Sequence, residues 1–121
     1  MKNILLLFTF LLLTFSAKSQ TCSELMKSIK SNYYGTTYNS YTSEAISKVT
    51  FYEVPIDYQT HYFAIVCFKR EYSYGCSEYL YQVGSSRKLY YSLNYMSSAG
   101  KAFWKYIQPY NENLGCAPNF D

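Results

Sequence analysis

The chain has 121 residues, 11 Lys and Arg against 8 Asp and Glu, four cysteines, and an aromatic content of 21% that includes 16 tyrosines. That length holds one modest core, and the full-chain net charge of +3 falls to 9 basic against 8 acidic residues once Lys2 and Lys18 of the N-terminal segment are set aside, too small a balance for the electrostatic footprint of a nucleic-acid or anionic-membrane binder. No G-x-S-x-G elbow, H-E-x-x-H pair or phosphate loop occurs and His61 is the only histidine, so the residue sets of the common catalytic chemistries are missing and a non-enzymatic protein without cofactor is expected.

Met1-Lys2-Asn3 precedes a nearly unbroken apolar run from Ile4 to Phe15. The pattern is that of a secretory signal peptide, and the run is too short for a bilayer, which takes ~20 apolar residues. Ala17 and Ser19 fit the two small-residue subsites, which puts cleavage after Ser19, or less ideally after Gln20. Residues 1–19 are therefore expected to be removed on export to the periplasm or the exterior. Lys2 and Lys18 leave with them, so the 11 basic residues become 9 against 8 acidic ones.

Residues 20–42 divide into a helix and a tyrosine-rich linker. Leu25, Met26, Ile29 and Tyr33 share one stripe at helical spacing over 23–33, with Ser23 able to cap the helix and Gly35 to end it. Residues 35–43 are polar and aperiodic, which predicts a loop. Three strand-like segments follow. The first covers about Ala45 to Glu53 and is stopped by Val54-Pro55, the second runs from His61 to Lys69, and the third from about Cys76 to Val83 after a Tyr74-Gly75 turn. The continuous apolar stretch from Tyr62 to Phe68 suits a central strand buried on both faces. A helical region covers Ser86 to Pro109, with Leu89, Leu93 and Met96 on one face of its first part and Ala102, Phe103, Tyr106 and Ile107 on one face of its second; Ser97 or Ser98 caps the second part near Gly100. The predicted class is α+β: a small antiparallel sheet of three strands or slightly more, with the C-terminal helical region on one face and the N-terminal helix on the other.

Four cysteines in a small exported domain predict two disulfides. None of them has C-x₂₋₄-C spacing, and with a single histidine no metal site is expected. Strand alternation places Cys67 and Cys76 on one face of neighbouring strands, alongside Phe63, Ile65 and Leu80. They are expected to pair, which leaves Cys22 for Cys116.

From residue 43 to 110 the chain resembles the KTSC domain, a short bacterial module found at the C-terminus of some lysyl-tRNA synthetases and as a stand-alone protein. Ser43-Glu-Ala-Ile46-Ser-Lys-Val49-Thr-Phe51 is similar to the family's first strand, Tyr79-Leu80-Tyr81 to its Tyr-x-Tyr signature, and Ser98-Ala-Gly100-Lys-Ala-Phe103 to its Ser-x-Gly-x-x-Phe helix, followed by Ile107 and a closing Tyr110. Gly84 stands where the family usually has proline. The N-terminal helix and the tail 111–121 lie outside the pattern. The resemblance implies an antiparallel sheet with a helix packed on it, no established activity, and a speculative link to RNA. On it, Tyr79, Tyr81, Ser98, Gly100 and Phe103 are structural residues.

Two surfaces are candidates for function. Asn32 to Tyr41 has the Tyr/Ser/Gly/Asn composition of adaptable recognition loops, with Tyr33, Tyr34, Tyr38 and Tyr41 as candidate contacts to a protein or glycan of the cell envelope or exterior. The alternative is a single-stranded nucleic-acid face built from Arg87, Lys88, Lys101 and Lys105 beside Trp104. A near-neutral exported protein makes nucleic acid the less favoured partner.

Overall fold

The computed structural model describes residues 21–72 and 74–118. The expected signal peptide and its cleavage site lie outside the described residues. The fold is α+β, built on one four-stranded antiparallel sheet in the order β1-β2-β3-β4. Residues 21–32 form helix α1. The strands are β1 (Thr36–Asn39), β2 (Ile46–Ile56), β3 (Gln59–Lys69) and β4 (Cys76–Val83), followed by helices α2 (Arg87–Asn94) and α3 (Ala99–Tyr106), a 3₁₀ turn (Gln108–Tyr110) and the short α4 (Asn111–Leu114).

The helix already runs at Thr21, so Ser23 lies inside it rather than capping it. Gly35 serves a different purpose from ending it. A Cβ there would come within 2.4 Å of the Thr50 side chain and 2.8 Å of the Tyr52 ring, so only glycine lets the backbone pass this close to β2 on its way into β1. The linker is not wholly a loop: Thr36 to Asn39 pair with Phe51 to Lys48 as an edge strand. Four residues carry too little periodicity to show this, and the partners lie 9 to 15 positions away.

Strand β2 runs through Pro55 to Ile56, where a break was expected. Pro55 pairs with Thr60 one step from a two-residue hairpin loop, Asp57-Tyr58. The residues flanking such a loop exchange hydrogen bonds, so the next pair inward does not. The missing proline N–H therefore faces the side where β1 has already ended, an edge position that costs no ladder bond. Ser47 is the extra residue of a bulge, since Ile46 faces Phe68 while Lys48 faces Cys67. The bulge puts Ile46 on the same side as Val49 and Phe51 despite the odd spacing.

Two groups of buried residues result. Ile46, Val49, Phe51, Ala64, Val66, Tyr81 and Val83 pack with Tyr91, Ala99, Ala102, Phe103 and Ile107. Tyr52, Val54, Phe63, Ile65 and Leu80 pack with Ile29, against which Leu25, Met26, Tyr33 and Leu114 lie partly buried. The apolar face expected in the first part of the helical region is turned outward: Leu89 and Leu93 of α2 and Met96 just beyond it are exposed, and Tyr91 is the buried residue. Hydropathy alone favours leucine and methionine inside. Here the space over the sheet takes a large ring, and Tyr91 fills it with ring contacts to Phe51 at 5.5 Å and Tyr95 at 5.7 Å.

Two disulfides cross-link the chain, Cys22 to Cys116 and Cys67 to Cys76. Cys67 and Cys76 sit diagonally rather than opposite, because Cys67 faces Glu78 and Cys76 faces Lys69 in the register. Bonds of this kind form and persist in oxidising, extracytoplasmic surroundings. Among the described residues no helix is long and apolar enough to cross a membrane.

Candidate functional site

A groove of about 660 Å³ opens at one end of the sheet. One wall is the β1–β2 connection from Asn39 to Ala45; the other is the α2–α3 turn from Tyr95 to Gly100. Its volume falls in the range of small-molecule sites.

Both walls are braced. Ser40 N–H donates to the Ser47 carbonyl at 2.8 Å and Ser43 N–H to the Ser40 carbonyl at 3.3 Å, which closes a turn. The Ser43 hydroxyl accepts from Ile46 N–H at 3.1 Å. Lys69 Nζ donates to the Tyr41 carbonyl at 3.2 Å and also to the Ser43 carbonyl, which ties the loop to the end of β3. On the opposite wall Ser98 caps α3, its hydroxyl accepting from Lys101 N–H at 3.2 Å. Behind the groove the Tyr38 ring lies 5.1 Å from that of Tyr95, which positions the Tyr95 wall from below.

The lining combines hydroxyl groups with the apolar side chains of Ala45, Met96 and Ala99. Ser40, Tyr41, Thr42, Ser43, Tyr95, Ser97 and Ser98 all contribute to it, with Glu44 the only Asp, Glu, Lys, Arg or His present. The buried Ser40 hydroxyl has no hydrogen-bond partner in good geometry, although it lies near enough to the Tyr91 phenol to lower that group's pKa slightly. Burial dominates at Tyr91 and pushes its pKa well above the ordinary phenol value. Tyr81 is raised in the same direction, first by burial and then by the neighbouring Tyr79.

The four linker tyrosines separate into two pairs. Tyr33 and Tyr38 are partly buried against the two cores, whereas Tyr34 and Tyr41 are exposed. Only Tyr41 of the four lines the groove. The cationic candidates separate as well. Arg87 has its guanidinium carbon 5.1 Å from the Tyr90 ring centre and 5.8 Å from those of Tyr106 and Tyr110, with a terminal nitrogen donating to the Ser86 hydroxyl at 2.9 Å. That charge is engaged inside the fold. Lys105 Nζ lies 5.5 Å from the Tyr106 ring, Lys101 is exposed, Lys88 half-buried, and Trp104 half-exposed with its ring against Phe103.

Of the residues carrying the KTSC resemblance, Tyr81 and Phe103 are buried with ring centres 5.6 Å apart, and Tyr79 is half-buried beside Phe68. Ser98 and Gly100 line the groove. His61 Nδ1 is hydrogen-bonded to the Gln82 side-chain amide at 3.0 Å, and Glu78 is bound by Lys30 at 2.7 Å. No cluster of three His, Cys, Asp or Glu side chains is suited to a metal among the described residues. Sequence reasoning missed the 95–100 wall, whose only readable signal was the cluster of serines ahead of Gly100. No protein-family model, curated protein or solved structure matches the chain.

Proposed function

We propose that this chain is an exported, non-enzymatic binding module of the KTSC type, which holds a protein or glycan of the cell envelope or exterior in the groove between residues 39–45 and 95–100. On this reading the N-terminal helix covers one face of the sheet and the C-terminal helices the other, leaving the sheet end free for recognition. The observation that carries it is the bracing of both groove walls around exposed hydroxyl groups. Ser43 and Ser98 use their lone pairs on backbone N–H groups, which leaves each hydroxyl proton free to donate to a ligand. Preorganised walls lose little entropy on binding. With one carboxylate and no histidine, lysine or arginine in the lining, the groove offers hydrogen bonds and stacking but no acid–base pair.

The test is to titrate isotope-labelled mature protein with soluble protein and glycan fractions of native envelope and to map amide shifts. Shifts concentrated in 39–45 and 95–100 are expected. Binding that leaves these residues unmoved and perturbs the Asp57-Tyr58 hairpin or α2 instead overturns the assignment.

A further inference from the structure

We infer that the groove takes a neutral oligosaccharide, an inference that rests on the binding-module reading and names its ligand class. Three observations converge on it. The first is charge. An anionic ligand would meet no cation in the lining, where Glu44 is the only charged side chain and would repel it. Lys69, at the same end of the sheet, is turned onto the Tyr41 and Ser43 carbonyls.

The second is the match of hydrogen-bonding groups. Thr42 and Ser97 are exposed and make no side-chain hydrogen bond among the described residues, so they can both donate and accept, as sugar hydroxyls do. An apolar ligand would strip these groups of water without replacing their bonds. Tyr41 adds a ring that is 85% exposed on a loop held at both of its carbonyl anchors. Such a ring offers a flat amphipathic surface to the C–H face of a sugar at little cost in side-chain entropy. Tyr72 and Tyr74 are also exposed, on the loop that follows Lys69 at this same end of the sheet, where Lys69 N–H donates to the Ala45 carbonyl.

The third is Gly100. It stands inside α3 with ordinary backbone angles, and a Cβ there would meet nothing within 4 Å. Packing around this second residue of α3 therefore does not require glycine. What its missing side chain leaves open is space at the groove wall.

The experiment titrates the mature protein with the tetrasaccharides of β-1,4-glucose, α-1,4-glucose and β-1,4-N-acetylglucosamine, alongside tetragalacturonate and a tetra-alanine peptide, each to about 5 mM. At least one neutral tetrasaccharide is expected to bind and to shift amides in 39–45 and 95–100. Tyr41→Ala and Gly100→Leu should each weaken that binding at least about tenfold with an unreduced melting temperature, whereas Tyr58→Ala at the far hairpin should leave it unchanged. Binding of the uronate or the peptide at the groove with no response to any neutral tetrasaccharide overturns the ligand class and leaves the binding-module reading standing. Silence toward all five probes overturns the ligand class too, and groove shifts with an envelope fraction then separate its failure from that of the module. Undiminished saccharide binding by both groove variants places the ligand elsewhere and overturns the inference.

Discussion

The N-terminal helix and the C-terminal helices are attached to the same sheet in different ways. Helices α2 and α3 contribute Tyr91, Ala99, Ala102 and Phe103 to a large buried group that continues to Ile107. Helix α1 contributes one fully buried side chain, Ile29. It is held in addition by the Cys22–Cys116 bond and by the Lys30–Glu78 ion pair, which spans partly exposed side chains. Such a pair is worth at most about 1 kcal/mol. Both disulfides also border the smaller buried group: Cys67 and Cys76 alternate in register with Ile65 and Leu80, and Cys116 packs against Ile29's group. Where little apolar surface can be buried, covalent links supply what burial does not.

The largest expected effect tests this contrast directly. Replacing Cys22 and Cys116 by serine removes a link spanning 94 residues in sequence, which the chain-entropy relation values at about 4–5 kcal/mol. Amide hydrogen exchange should show α1 losing protection first, and uniform loss across both sets of helices would break the comparison. The same replacement at Cys67 and Cys76, separated by 9 residues, should cost about 2–3 kcal/mol by denaturant titration.

On the aromatic side, Tyr81→Ala should cost about 3–5 kcal/mol, since a 1% exposed ring leaves a cavity. Tyr81→Phe should be close to neutral, because the buried hydroxyl has no hydrogen-bond partner. A Phe variant as damaged as the Ala variant would show that the hydroxyl, not the ring, holds this side together.

Titration sharpens the same difference. Tyr81 and Tyr91 have folded-state pKa values raised by burial. Their full contribution is present below the ordinary phenol pKa of about 10 and is lost above it, as unfolded chains ionise first. Thermal melts should stay level through neutral pH and fall above about pH 10, with a smaller fall in the Tyr81→Phe and Tyr91→Phe variants. An equal fall in those variants would assign it to other groups.

The smallest effect lies away from both sets of helices. Asp57 and Tyr58 hold φ of 50° and 65°, a left-handed pair that costs a tyrosine more than a glycine. Tyr58→Gly should stabilise the fold by about 1 kcal/mol, read as a raised melting temperature.

Local pattern was enough for the elements whose partners are near in sequence. The apolar stretch of β3, a cap at Ser97 or Ser98 and the Ala102, Phe103, Tyr106 and Ile107 face were each legible from a few adjacent residues, because propensity, capping and alternation act over one or two turns; the structure chose Ser98. Tertiary structure decided the rest. Residues 36–39 become a strand only because β2 offers them an edge, and Leu89, Leu93 and Met96 face outward because a tyrosine fits the space over the sheet better. The groove likewise joins two segments, 39–45 and 95–100, that are far apart in the sequence. Residue types determine which chemistry each wall can offer, but strand pairing and helix packing determine which walls meet, since those depend on the shape of a core that no single segment contains.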